Sequence, residues 1–330
     1  MKILQVMATN GGMGGLEKHT LQLCNALAQY HDVHLIADQS YQEQLNENVK
    51  LHAVDFSRSR WNPFLIYELI HRIKKIQPDI VHAQASKATS ILAPWLKQLP
   101  GKKVVTIHGM KNKLSPFLAF DRVIAVSGKI ARTFSNQEKV RVIYNGIDQI
   151  KPLTNSVSKN AQPIALAVGR LVDVKGFDVL IEAWQGIDAQ LWIVGDGEQY
   201  QALQQKIKEL NLVDKIQLLG FRDDVTELLQ QVDCFIISSR KEGGPITLAE
   251  ALLQGIPVLS TDVGMVADFI DSKFICQPND VNSLKQLLKK QLKFKADMQS
   301  DFQQSFVQAQ QKLRFKAMLE QTELLYQQLI

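Results

Sequence analysis

The sequence lacks several features, and each absence narrows what the chain can be. No apolar run reaches the roughly 18 residues of a membrane-crossing helix, so no such helix is expected. The apolar start, Met1 to Met7, is brief and gives way to Ala-Thr-Asn-Gly-Gly; it reads as a first buried strand and not as a secretory signal. Only three cysteines occur, Cys24, Cys234 and Cys276, each alone in an apolar stretch and without Cys-x-x-Cys spacing. That pattern argues against a disulfide framework or a zinc site and predicts reduced core thiols in a cytosolic protein. There is no Asp-x-Asp triplet and no His/Cys cluster at ligand spacing, so no metal is expected. Internal repeats and low-complexity tracts are missing too. Lysine and arginine are dispersed without a recognisable nucleic-acid module, which argues against a nucleic-acid partner.

What is present is the pattern of a globular α/β protein. Hydrophobic residues make up 45% and charged residues 22% of the 330, suited to one large domain or two of ordinary size. The net charge of +5 is unevenly shared. Residues 1–150 hold 19 Lys and Arg against 11 Asp and Glu, or +8; residues 151–330 hold 19 against 22, or −3. A basic first half can face an anionic acceptor or lipid, or simply be a solvated surface.

Short apolar runs alternate with helical patterns in both halves. KILQVM, VHLIA, KLHAV, DIVHA, KVVTI, RVIAV and VRVIY read as strands in the first half; PIALAVG, QLWIVG, IQLLG, CFIIS, PVLST and KFICQ read as strands in the second. Stretches such as LEKHTLQLCNALAQY and PFLIYELIHRIKKI lie between them at helical spacing. Strand–helix alternation predicts parallel sheets covered on both faces. The polar segment KPLTNSVSKNAQP, with Pro152 and Pro163, reads as a linker. The expected organisation is therefore two Rossmann-like doubly wound domains, 1–150 and 151–311, followed by an amphipathic helix at about 312–330 that needs a surface to pack on. In such folds ligands bind at the carboxyl ends of the strands, so the residues just after each strand are the candidates.

Three post-strand segments carry possible chemistry. Gly11-Gly12-Met13-Gly14-Gly15-Leu16-Glu17 follows the first strand and leads into a helix, where bare backbone can approach a phosphate or sugar. It misses the dinucleotide fingerprint, because the third glycine position counted from Gly12 is Glu17. Gly169-Arg170-Leu171-Val172-Asp173-Val174-Lys175-Gly176 sets two cations five residues apart, which suits a diphosphate or two solvated loop cations. Glu242-Gly243-Gly244-Pro245-Ile246-Thr247-Leu248-Ala249-Glu250 is the most informative. Pro245 suits a helix start, so Ile246 to Gln254 is predicted helical, with its N-terminus favouring an anion. Glu242 then precedes the helix and Glu250 lies within it.

In order and at spacing, these segments resemble a retaining family 4 glycosyltransferase of the GT-B fold over nearly the whole chain. The resemblance rests on Glu242 and Glu250, the GRL-x3-KG loop with Arg170 and Lys175, and the turn Gly195-Asp196-Gly197. It also rests on Leu219-Gly220-Phe221, Asn145 to Asp148 as NGID, Gly14 to Glu17 as GGLE, and His108 after KVVTI. It implies two Rossmann-like domains facing a cleft, with the final helix returning to the first domain. It also implies residue roles. Arg170 and Lys175 would bind the donor diphosphate, Glu250 the ribose and Glu242 the transferred sugar. Backbone groups near Ile246, Thr247 and Leu248 would meet the distal phosphate; Gly14 and Gly15 would approach the diphosphate from the other domain. Gly220, Phe221 and Arg222 would contact the base, and His108 would reach the sugar or its leaving oxygen. His82 reads as structural, and His19 has no assigned role. Met265 stands where the family has glycine and Asp268 where glutamate is usual; the stretch from His108 to the RVIAV strand, where acceptor loops normally lie, is only about 13 residues.

The implied reaction is transfer of a hexose or N-acetylhexosamine, from a UDP-sugar before GDP-mannose, to a cell-surface glycan precursor such as lipopolysaccharide or lipid-linked oligosaccharide. Arg170, Lys175 and the helix dipole would stabilise the departing diphosphate without a metal, each donor being worth about 2.7–4 kcal/mol when aimed at developing charge. Front-face displacement is expected, since no carboxylate stands out as a nucleophile. An epimerase of the same fold acting on UDP-N-acetylglucosamine, or a silent nucleotide-sugar binder, remains the alternative. Residues 57–75, SRSRWNPFLIYELIHRIKK, mix Arg and Lys with Trp61, Phe64, Leu65 and Tyr67. They read either as an ordinary amphipathic core helix or as a peripheral contact with the cytoplasmic membrane face.

Overall fold

The structure is a computed structural model that describes residues 1–148, 162–293 and 295–330. The segment 151–163, read as a linker, lies almost wholly outside the described residues. The chain divides into two compact units, Met1–Asn145 with Lys316–Ile330, and Gly146–Phe315.

The first unit is built on a parallel sheet. Its strands are β1 (Lys2–Met7), β2 (Asp32–Ala37), β3 (Val49–Ala53), β4 (Ile80–Gln84), β5 (Lys102–Ile107), β6 (Arg122–Ala125) and β7 (Val140–Val142). They lie in the order β3-β2-β1-β4-β5-β6-β7. Each matches an apolar run of the sequence, because a sheet covered on both faces demands buried side chains in both directions. One face packs Leu4, Val6, Val81, Ala83, Val105 and Ile107 into the core with Leu65, Leu69 and Ile73 of the helix Pro63–Ile76. Asn62 caps that helix through its side chain, Pro63 occupies the first turn, and Gln77 ends it in the left-handed conformation.

The opposite face of the central strands carries a buried polar patch between Ile3, Met7, Ile80 and Val104. Gln5, His82, Gln84 and Thr106 are all buried there, Gln5 opposite His82 and Gln84 opposite Thr106 in register. The C-terminal helix, Phe315–Gln327, meets this face through Tyr326, which is fully buried and hydrogen-bonds to Gln5 and His82. His31 Nε2 reaches Glu323 of the same helix at 2.9 Å.

The second unit carries a parallel sheet of β8 (Ile164–Val168), β9 (Gln190–Val194), β10 (Ile216–Gly220), β11 (Cys234–Ile237), β12 (Val258–Thr261) and β13 (Ile275–Cys276), in the order β10-β9-β8-β11-β12-β13. Its core includes Leu166, Leu191, Ile193, Phe235, Leu259 and Trp184, whose indole N–H donates to the Ala189 carbonyl at 3.1 Å. The two ends of this unit lie side by side. Ile147 N–H donates to Leu313 O at 3.0 Å and Phe315 N–H to Ile147 O at 2.8 Å. A Cβ on Gly146 would sit 2.6 Å from Arg314 O, so the NGID glycine is a requirement of that close approach. The KLRFKAML stretch is not one continuous helix. One helix, Gln303–Lys312, stops there, and the next starts at Phe315 once Arg314 has bridged to Ile147.

Among the described residues no helix is long and apolar enough to cross a membrane. The three cysteines are buried and form no disulfide.

Candidate active site

In the second unit the loops after the strands stack backbone on backbone at the carboxyl edge of the sheet. Gly169 N–H donates to Val194 O, Leu171 N–H to Asp196 O and Gly195 N–H to Gly220 O, at 3.0, 2.8 and 2.8 Å. Gly195 has a φ of 142°, and a Cβ there would sit 1.9 Å from Gly169 O. The Gly-Asp-Gly turn is therefore the seat on which the Gly169–Gly176 loop rests.

That loop presents its two cations differently. Arg170 is exposed and makes no ion pair among the described residues. Lys175 runs its stem along Gly169, and its Nζ lies 2.6 Å from Glu242 Oε1, which also accepts from Ser239 Oγ at 3.0 Å. Lys175, Ser239, Glu242 and Thr247 line one small cavity. The expected diphosphate cation and the expected sugar carboxylate are thus direct partners. A ligand that engages both must exchange this charge-assisted bond for its own contacts.

The helix Ile246–Leu253 begins immediately after Pro245, one residue shorter at its end than the sequence predicts. Leu248 N–H donates to Pro245 O at 3.1 Å, whereas the Ile246 and Thr247 N–H groups have no partner among the described residues. The backbone donors available at this helix start are therefore those of Ile246 and Thr247, and Leu248 is withdrawn from the expected set. Its side chain is also fully buried. Glu250 is half-buried, one turn into the helix.

Gly220 closes β10 at a φ of 69°. Phe221 beyond it is 78% exposed, a large apolar ring with no core to serve. Arg222 turns back onto Asp224, its Nε donating to Oδ1 at 2.7 Å. The altered turn after β12 buries Met265 completely, so the residue that replaces the family glycine is a core side chain.

Sequence reading overlooked Arg240. Its guanidinium forks onto Asp178 at 2.9 and 2.7 Å and also reaches Asn279 Oδ1 at 2.9 Å and Asp173 O at 2.5 Å. It clamps the turn that carries Lys175 to the helix Phe177–Ala183. A lone arginine in Ser-Ser-Arg-Lys-Glu gave no spacing signal for this role.

In the first unit Gly14 caps the helix Gly15–Leu27, and the Glu17 carboxylate accepts the Gly14 N–H at 3.0 Å. The helix start thus carries its own anion. Asp38 is occupied with Ser40, accepting from its N–H and hydroxyl at 3.0 and 2.7 Å. His108 follows β5, and its Nε2 lies 2.9 Å from Gln84 Oε1. His19, unassigned from sequence, comes edge-on to His108 with ring centroids 5.0 Å apart. Burial depresses the imidazole of His108 well below its ordinary pKa, with the neighbouring His19, His82 and Lys111 adding to the effect; His19 falls to about 4 by burial alone. Both rings are therefore neutral at pH 7. His82 is fully buried with both ring nitrogens hydrogen-bonded.

The helix Pro63–Ile76 buries Leu65, Leu69, Ile73 and Ile76 as a core stripe, yet Phe64 and Tyr67 on it, and Trp61 just before it, are 71–76% exposed. Among the described residues no three His, Cys, Asp or Glu side chains are grouped to hold a metal ion.

Two parallel, doubly wound α/β units with ligand-type loops at strand ends define the GT-B class of glycosyltransferases. Residues 151–311 match the family model Glycosyl transferases group 1, and residues 13–149 match Glycosyltransferase Family 4. The chain belongs to the group 1 glycosyltransferases and is a sugar-transferring enzyme. It is 27% identical over 310 residues to an uncharacterised glycosyltransferase of Methanocaldococcus jannaschii, covering 87% of each chain. It is 26% identical over 267 residues to the lipopolysaccharide core biosynthesis glycosyltransferase LpsE of Rhizobium meliloti, covering 76% of each. The crystal structure of Anabaena HepE in complex with UDP shares its fold with a TM-score of 0.84, at 21% identity over 100% of both chains.

Proposed function

We propose that the chain is a retaining glycosyltransferase that takes a hexose or N-acetylhexosamine from a UDP-sugar. The acceptor would be a cell-surface glycan precursor, in lipopolysaccharide or a lipid-linked oligosaccharide. The second unit holds the donor and the first unit receives the acceptor. The observation that carries the donor reading is the grouping of Lys175, Glu242 and Thr247 around one cavity, beside the unpartnered N–H groups of Ile246 and Thr247.

In this reading Arg170 and Lys175 grip the diphosphate, with the Ile246 and Thr247 N–H groups on its distal phosphate. Glu250 takes the ribose hydroxyls and Glu242, released from Lys175, takes hydroxyls of the transferred sugar. Phe221 offers a flat face to the base beside Gly220 and Arg222. The family resemblance assigns Gly14 and Gly15 to the diphosphate and neutral His108 to a hydrogen bond with the sugar. As the glycosidic bond breaks, charge accumulates on the leaving diphosphate. The two cations and the helix start are set to stabilise that charge, which gives the chain a route that needs no metal. The leaving oxygen takes the acceptor proton on the same face, and the anomeric configuration is retained. A UDP complex of HepE and a lipopolysaccharide role for LpsE support the choice of donor nucleotide and acceptor class.

Thermal shift with UDP, GDP and ADP tests the donor half: UDP should stabilise most, and no response to any nucleotide removes the reading. Proton NMR of the product formed with UDP-glucose or UDP-N-acetylglucosamine reads the anomer, and an inverted linkage removes front-face displacement. Turnover should survive EDTA.

A further inference from the structure

The buried polar patch of the first unit holds a hydrogen-bond chain with a definite direction. Gln5 Nε2 donates to the Tyr326 hydroxyl at 3.0 Å. That oxygen is thereby an acceptor towards Gln5, and its own proton is left for His82 Nδ1, 2.5 Å away. With Nδ1 accepting, neutral His82 carries its proton on Nε2, which lies 2.7 Å from Thr106 Oγ1. In the other direction, Gln84 Nε2 donates to Gln5 Oε1 at 2.9 Å, which turns Gln84 Oε1 towards His108 Nε2 at 2.9 Å. An amide oxygen can only accept, so His108 must donate from Nε2. Every member between Thr106 and Gln84 is at most 1% exposed, where an unpaired polar atom is costly and flipping either amide alone would break two bonds at once.

We infer that Tyr326, acting through Gln5 and Gln84, is a positioning residue that holds His108 in the Nε2–H tautomer and leaves Nδ1 as the ring's hydrogen-bond acceptor. Among the described residues Nδ1 of His108 has no partner. A hydroxyl of the donor sugar is a ligand that can supply the missing proton to it; an anionic leaving oxygen is not. The inference therefore deepens the proposed role of His108 and rests on it for its catalytic consequence only. It also gives the C-terminal helix a function: the helix delivers the hydroxyl that orients the chain. The ring tautomer is set by what its second nitrogen bonds to, a dependence that recurs wherever histidine works in catalysis.

The experiment is long-range nitrogen–proton NMR on the full-length protein labelled with nitrogen-15 histidine, with His108 assigned by its loss in His108→Ala. The wild-type protein should show His108 as the Nε2–H tautomer at neutral pH. In Tyr326→Phe the chain loses its central hydroxyl, and His108 should shift to a mixture or to Nδ1–H. With UDP-glucose as probe, kcat/KM should fall by about tenfold, roughly what one neutral hydrogen bond to the bound sugar is worth, while the Kd for UDP alone stays unchanged. A wild-type Nδ1–H tautomer, or an unaltered His108 signal in Tyr326→Phe, overturns the inference even if kcat/KM falls. Should Tyr326→Phe fail to fold, Gln5→Met interrupts the chain between Tyr326 and Gln84 and must shift the same signal, while Gln5→Glu keeps an acceptor for Gln84 and restores it. His108→Ala with undiminished turnover would instead remove the catalytic role of His108, and the tautomer result would stand independently.

Discussion

Arg170 and Lys175 carry the same charge on the same loop, but they enter binding from different starting points. Lys175 is already paired with Glu242 at 2.6 Å, so part of what it gains from a diphosphate is offset by the bond it gives up. Arg170 is exposed and without an ion pair among the described residues, so nothing offsets its contribution. Arg170→Ala should therefore weaken UDP binding by about 1.5–3 kcal/mol, or roughly 10- to 150-fold in Kd, as loss of a charge-assisted hydrogen bond does. Isothermal titration reads this directly, and an unchanged Kd would take Arg170 out of the diphosphate site. The candidate glutamates and cations stand out in the sequence because glycine-rich, strand-terminal spacing exposes them, and His108 stands out through the family resemblance. The pairing of Lys175 with Glu242, 67 positions apart, does not, since no local pattern reports a contact made by two separate strand ends. Arg240 and Gln84 were invisible for the same reason.

At the scale of elements, the helix Pro63–Ile76 bears out the core reading of its sequence. Its Leu65, Leu69 and Ile73 stripe is core, as the 3.6-residue period requires. Trp61, Phe64 and Tyr67 fall off that stripe and stand in solvent, with Arg60, Lys74 and Lys75 also exposed around them. Aromatic rings beside cations suit an anionic membrane surface. A membrane role for this ridge would show as co-sedimentation with vesicles rich in anionic lipid that the triple change Trp61→Ala, Phe64→Ala and Tyr67→Ala abolishes while UDP affinity stays intact. Equal binding by the triple variant would assign the ridge no membrane role. The expected strands are all present because each is a short apolar run flanked by turn residues. The C-terminal stretch was harder: its apolar spacing is continuous, and only the bridge of Arg314 to Ile147 shows why the helix breaks there.

At the scale of the molecule, burying neutral imidazoles ties stability to pH. His19 is depressed to about 4 and His82 to about 3, and His108 lies well below its ordinary value. Between those values and about 6.5 the unfolded chain binds protons that the folded chain refuses, so stability rises with pH through this window and is lost as pH falls. Each ring so depressed should cost on the order of 1–2 kcal/mol at pH 5 relative to pH 7. Urea midpoints at the two pH values check the sign; equal midpoints would mean that the rings protonate in place.

The sequence by itself determined the two parallel α/β units and the residues at their strand ends, because period, punctuation and short-range spacing are local properties of a chain. It also held, unread, the alternation of Gln5, His82, Gln84 and Thr106 with apolar neighbours in central strands. Only the tertiary structure decided what those polar residues are for. The hydroxyl that completes their hydrogen bonds comes from Tyr326, on a helix that joins the first unit from the far end of the chain. A buried polar group must be satisfied by whatever packs against it, and which segment packs there is settled by long-range folding.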